Sequence, residues 1–293
     1  MRFNIRHETT YTYGTPATRV IDVLRLAPRG HNGQFVINWR VDVDQDCRVD
    51  QTADPFGNIV HSFSADGPIE SMSIVAHGRV ETTDTSGVLS GQIERFPPVV
   101  FLRDTPLTES SAELHAFAEK ATAGAQSPLD QMHGLMSAVR KHLEHVDDRT
   151  VSGTSAIEAF REGRGVYQDF AHVFIAAARY LQVPARYTSG YRFARSGNAG
   201  SAEQAQDGSS QSQRQNRSGG PSAGHAWAEA LIEGLGWVGF DPVNDMCPTD
   251  AYVRVASGLD YLGAAPIRGV VQGGDNEGVS VDISLVPDGR GTA

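Results

Sequence analysis

A change of hydrophobic period along the chain restricts its fold more than any other feature. Near the N-terminus apolar side chains recur every second residue, with Phe3, Ile5, His7, Thr9, Tyr11 and Tyr13 on one parity. Arg2, Asn4, Arg6, Glu8, Thr10 and Thr12 hold the other, the pattern of a half-buried strand. Phe35, Ile37 and Trp39 repeat it, as do Val41 and Val43 beside Asp42 and Asp44, and Ile69 to Val80 closes the series. Turn residues punctuate these runs at Tyr13-Gly14-Thr15-Pro16, His31-Asn32-Gly33 and Asp54-Pro55-Phe56-Gly57-Asn58. The spacing predicts an antiparallel β-sandwich or barrel over residues 1–86.

Residues 87–106, with Pro97-Pro98, read as a linker. The period then becomes helical. Ser127-Pro128 supplies a hydroxyl cap and a proline for the first turn. Leu129, Met132, Met136, Val139, Leu143 and Val146 follow at steps of three and four. A short helix begins at Thr154. After the loop Gly163-Arg164-Gly165-Val166, a helix is predicted from Gln168 to Leu181, its buried stripe being Phe170, Val173, Phe174, Ala177, Ala178 and Leu181. Pro184 stops it, and strands are predicted at Ala185–Phe193, His225–Ile232 and Trp237–Phe240. Between the first two, residues 194–223 contain no large apolar side chain and read as a disordered insertion. The fold class is therefore α+β: a β-rich first domain, a helix-on-sheet core over 107–270, and a tail over 271–293 whose alternation predicts a strand.

Charge and cysteine content remove several functions. The net charge of −10 and a pI near 5.4 argue against nucleic acid and anionic membranes as partners. No apolar run approaches the roughly 20 residues of a membrane span. The polar alternation at the start does not resemble a signal peptide, so the cytoplasm is the expected compartment. Two cysteines, Cys47 and Cys247, cannot supply a disulfide framework or a cysteine-rich zinc site. His142, Glu144 and His145 offer two imidazoles at helical spacing but no third ligand, so a solvated helix face is expected there. No metal or cofactor is expected.

Three segments carry chemistry when taken together. They are Gly165-Val166-Tyr167-Gln168-Asp169-Phe170-Ala171-His172, then Pro184-Ala185-Arg186-Tyr187-Thr188-Ser189-Gly190-Tyr191, then His225-Ala226-Trp227-Ala228-Glu229 with Gly236-Trp237-Val238-Gly239-Phe240-Asp241-Pro242. Their order resembles the bacterial transglutaminase-like superfamily, whose core is papain-like. The N-terminal half, with Leu24-Arg25-Leu26-Ala27-Pro28-Arg29, resembles the β-rich region that precedes that core. The resemblance spans most of residues 1–270 and implies a Cys-His-Asp triad. In such a triad a thiolate at a helix N-terminus attacks an amide carbonyl, and water or an amine resolves the thioester. The carboxylate orients the imidazole.

By that resemblance the histidine is His225, the aspartate Asp241, and the cysteine position falls on Tyr167. A phenol has a reference pKa near ~10 against ~8.5 for a thiol, so it is scarcely ionised at neutral pH. Its ring should also fill the space of a scissile carbonyl. The expected role of Tyr167 is to pack in the cleft and hydrogen-bond His225. Alternatives remain open: Tyr167 as a phenolate nucleophile, Cys247 reaching back from beyond Asp241, or an activated water. Gln168, Trp227 and Trp237 are candidate binding residues, although either tryptophan could be a core aromatic. Asp169 is expected to favour the helix N-terminus, His172 to be a polar or interface histidine, and Arg186 with Glu229 to form a structural ion pair. Three functions follow. The first is a non-catalytic protein binding a peptide, an amide-bearing ligand or a protein partner. The second is an active amidase, peptidase or acyltransferase, and the third a structural subunit.

Overall fold

The period change separates two antiparallel sheets in the computed structural model, which describes residues 1–146, 153–194 and 224–288. The first sheet is built on two long strands, β1 (Arg2–Ala27) and β4 (Ile59–Thr82), paired antiparallel along their length. β2 (Gln34–Val43) and β3 (Asp50–Ala53) pair with the far edge of β4. β12 (Ile267–Gly273) and β13 (Gly278–Pro287) share the far edge of β1. The C-terminal segment thus returns to the N-terminal sheet.

The β region expected from alternation is one six-stranded antiparallel sheet. Tyr13-Gly14-Thr15-Pro16 bends β1 without ending it. The pairing steps from Thr12 opposite Ser71 to Ala17 opposite Ile69, so residues 13–16 face residue 70 alone. Such a bulge bends a strand and sharpens its twist. The freed Gly14 N–H donates to the Asp275 carbonyl at 2.7 Å. Below the bend, Val20, Leu24, Phe63, Ile69, Met72 and Ile74 form one core. Above it, Phe3, Ile5 and Val80 join the core of the second half.

That second half centres on a five-stranded sheet ordered β11-β8-β9-β10-β5. Its strands are β5 (Val88–Leu89), β8 (Ala185–Arg192), β9 (Gly224–Ile232), β10 (Gly236–Phe240) and β11 (Tyr252–Gly258). One face carries α4 (Tyr167–Tyr180), whose Phe170, Val173, Phe174, Ala177 and Ala178 are fully buried. Burying each of the larger ones contributes about 1.5–3 kcal/mol. α1 (Ala112–Thr122), α2 (Pro128–His142) and α3 (Ala156–Glu162) pack around α4. Ser127 caps α2 through the Asp130 N–H, and a reciprocal Ser155–Glu158 box opens α3. Gly163, at φ 66°, closes α3 in the left-handed region that favours glycine.

The segment expected as a linker is packed instead. β5 pairs with β10, Glu94 bonds Arg186 at 2.6 Å, and Phe101 in the short 3-10 turn Pro98–Leu102 is fully buried. Two prolines prevent α-helix there but do not prevent burial of the aromatics around them. Glu144 and His145 also depart from expectation. They form β6 (Glu144–His145), parallel to β7 (Arg164–Gly165), and not a helix face. Leu143 caps α2 in extended conformation, which ends the helical register before Glu144. The expected insertion falls, from residue 195 to 223, outside the described residues.

Candidate active site

β9 divides its residues between two faces. Ala226, Ala228 and Ala230 face α4 in the core, as do Val238 and Phe240 of β10. Strand alternation therefore turns His225, Trp227 and Glu229 to the other face, with their cross-strand partners Gly190, Thr188 and Arg186.

Asp241, just past β10, is fully buried and collects five hydrogen bonds. His225 Nε2–H donates to Oδ2 at 2.7 Å, Tyr252 Oη–H at 2.7 Å and Asn244 Nδ2–H at 2.6 Å. The backbone N–H groups of Val243 and Asn244 donate to Oδ1 at 3.0 and 3.2 Å. A tight turn makes this possible, since Asp241 and Met246 bridge antiparallel with Asp245 at φ 52°. Burial opposes the Asp241 charge. Attraction to His225 and the side-chain hydrogen bonds outweigh it and hold the carboxyl below its ordinary range. Asp241 thus fixes the imidazole through Nε2.

Tyr167 opens α4 beside that ring. Its ring meets His225 edge-to-face, with centroids 5.6 Å apart. The expected hydrogen bond between them is not formed, and none joins the Tyr167 hydroxyl to any described residue. Burial, and then proximity to Tyr261, push the Tyr167 phenol up from its ordinary value. Gln168, half-buried beside it, hydrogen-bonds Tyr261 of α5 (Tyr261–Ala264).

The two tryptophans separate. Trp227 lies beside His225 at 6.3 Å and edge-on to Tyr252 at 5.5 Å. Trp237 is not brought to the pair. It packs under the Arg186 guanidinium, 3.9 Å from its centroid, and against Phe101 at 4.8 Å. Arg186 and Glu229 do pair, at 2.6 Å, and Arg254 adds a second cation at 2.6 Å. Burial opposes the Glu229 charge, but the two guanidiniums overcome it and hold the carboxyl far below its usual range. Asp169 accepts the Val166 N–H at 2.9 Å, which closes the first turn of α4. His172 is buried and accepts the Tyr261 N–H at 3.0 Å.

Cys247 is half-buried beneath Gly87, and burial pushes its thiol up. Cys47 is shifted the same way by burial and by Asp46 and Asp44. Neither environment favours a thiolate. His142 stacks on Phe160 at 4.2 Å and bonds its carbonyl at 2.8 Å. Among the described residues no three His, Cys, Asp or Glu side chains are grouped to hold a metal. Nor is any helix there long and apolar enough to cross a membrane.

Sequence reasoning missed Asn244 and Tyr252. Asn244 carried a local signal, an amide in the turn after Asp241-Pro242. Tyr252 carried none, because only the return of β11 brings it to Asp241.

Comparisons with known proteins bear on the fold and the family. The family model described as the bacterial transglutaminase-like N-terminal region matches residues 3–81, and that of the transglutaminase-like superfamily matches residues 115–242. An uncharacterised protein of Mycobacterium leprae is 29% identical over 93% of this chain and 94% of its own. An uncharacterised protein of Mycobacterium tuberculosis is 25% identical over 98% of this chain and 93% of its own. A solved structure from Cytophaga hutchinsonii, named as a candidate cysteine protease, superposes with a TM-score of 0.71 at 21% identity. It covers 98% of this chain and 91% of that one, and the likeness is one of fold. On its two matched regions and its papain-like core, this chain belongs to the transglutaminase-like superfamily.

Proposed function

We propose that this protein is a member of its superfamily that does not perform thiol acyl transfer, and that its cleft binds a peptide, an amide-bearing ligand or a protein partner. The observation that carries the reading is the Tyr167 ring lying against His225 at the N-terminus of α4. A phenol held protonated by burial is a weak acyl-transfer nucleophile, and its ring takes the volume a substrate carbonyl would need. The protein is expected to turn over no amide or peptide substrate. Tyr167→Cys is expected to create a thiol that iodoacetamide alkylates rapidly below about pH 7, since it would stand at a helix N-terminus beside His225. Amide hydrolysis by the unmodified protein that His225→Ala abolishes would overturn the proposal.

A second reading, an active amidase, peptidase or acyltransferase, is favoured by the fully hydrogen-bonded His225–Asp241 pair. On that reading Tyr167 or an activated water replaces the thiol. Tyr167→Phe separates the versions, because the phenolate route requires it to be inactive.

A further inference from the structure

A cavity lies on the other sheet. It occupies about 390 Å³, where β1 bends away from the connection between β12 and β13. Tyr11, Tyr13 and Asp22 of β1, Gly269 of β12, and Gly274 and Glu277 of the connection line it. Strand alternation makes Asp22 anomalous. It stands between Val20 and Leu24 on the buried parity of β1, where every neighbour contributes to the core. It is only 6% exposed, yet no cation or hydrogen-bond donor reaches its carboxylate among the described residues. Tyr13 is 8% exposed, and its buried hydroxyl has no hydrogen-bond partner either. Carboxylates this buried are nearly always paired within a folded protein, so one that lines an open cavity with no protein partner points to a ligand.

The glycines hold that space open. Any Cβ at Gly269 would overlap the Asp22 carboxylate, and one at Gly274 would press on the Tyr13 ring at 3.2 Å. Gly274 also sits at φ 71°, which bends the connection over the cavity mouth. Exposed Glu277 adds a second negative charge at the rim. Two aromatic rings and two carboxylates select a cation. The volume lies in the range of small-molecule sites, roughly 300–1,000 Å³, and is far larger than one metal ion requires.

We infer that this cavity binds an alkylammonium group, from a free diamine or a lysine side chain, with Asp22 as charge partner and Tyr11 and Tyr13 as aromatic walls. This assignment stands on the cavity's own residues, whether or not the cleft at His225 is catalytic. Isothermal titration calorimetry on the full chain tests it with 1,5-diaminopentane, a lysine tripeptide blocked at both ends, and its Nε-acetylated counterpart. Saturable binding of either ammonium probe is expected, with none for the acetylated peptide. Asp22→Asn is expected to weaken it at least about tenfold and Tyr13→Leu, which removes an aromatic wall, several-fold, with circular dichroism reporting that both remain folded. The tighter of the two ammonium probes identifies the source of the group. No saturable binding of either, equal binding of the acetylated peptide, or unchanged affinity in Asp22→Asn overturns the assignment. Calcium binding in place of ammonium binding overturns it in favour of a metal site.

Discussion

Replacing Asp22 with Asn is expected to make the unliganded protein more stable at neutral pH. Burial, and then repulsion from Glu277, push this carboxyl up to about 6. An unfolded aspartate titrates near ~3.9, so the gap of ~2 units corresponds to a ceiling of about 3 kcal/mol. One side of the carboxylate faces an open cavity, where water screens it, and about 1–2 kcal/mol is the expected net penalty. The folded state holds the proton more tightly than the unfolded one. The penalty is therefore absent below about pH 4, grows between about 4 and 6, and is complete above 6. Guanidinium unfolding of both proteins at about pH 4 and about pH 7.5 measures it. The two should unfold together at the lower pH, and the variant should have the higher midpoint at the upper pH. A wild type as stable as the variant at about pH 7.5, or a difference of the same size at both pH values, would refute the reasoning.

Two other perturbations test neighbouring features. Glu229→Gln leaves Arg186 and Arg254 buried together without their shared carboxylate. A loss of about 3–5 kcal/mol in chemical denaturation is expected, and a loss below about 1 kcal/mol would contradict the buried triad. Cys247 is expected to react with iodoacetamide more slowly than a free thiol at about pH 8, because burial raises its pKa. Fast reaction would restore it as a candidate nucleophile.

Local pattern exposed what depends on neighbours in sequence. The stripe from Phe170 to Ala178, the Ser127 cap and the alternation of β1 each follow from a few adjacent residues, and so did the motifs placing His225 and Asp241. What stayed hidden depends on distant chain. Tyr13-Gly14-Thr15-Pro16 has turn chemistry, but pairing with β4 and β13 on either side keeps the strand running through it. Phe101 sits in a proline-rich segment that resembles a tether, and the rings of Trp237, Phe56 and Phe96 around it make it core. Arg179 looks like an ordinary C-terminal helix cation. Its guanidinium instead donates to the carbonyls of Phe101, Ala185 and Leu259 and to Thr108, so four segments meet on one side chain. The Tyr167 contact shows the same limit. Sequence placed a phenol near an imidazole, but that the two rings meet edge-to-face without a hydrogen bond is visible only in the fold.

The return of the last strands to β1 gives the molecule the topology of a buckle. β1, early in the sequence, and β12 and β13, late in it, are laid side by side. A single backbone nick near Gln92 would leave both pieces hydrogen-bonded to the same β-ladder, so cleavage alone would not release two halves. A truncated product ending before Ile267 would strip β1 of its outer neighbours. The bared row of amides is the kind that recruits other chains, so the papain-like half is best produced together with both ends of the polypeptide.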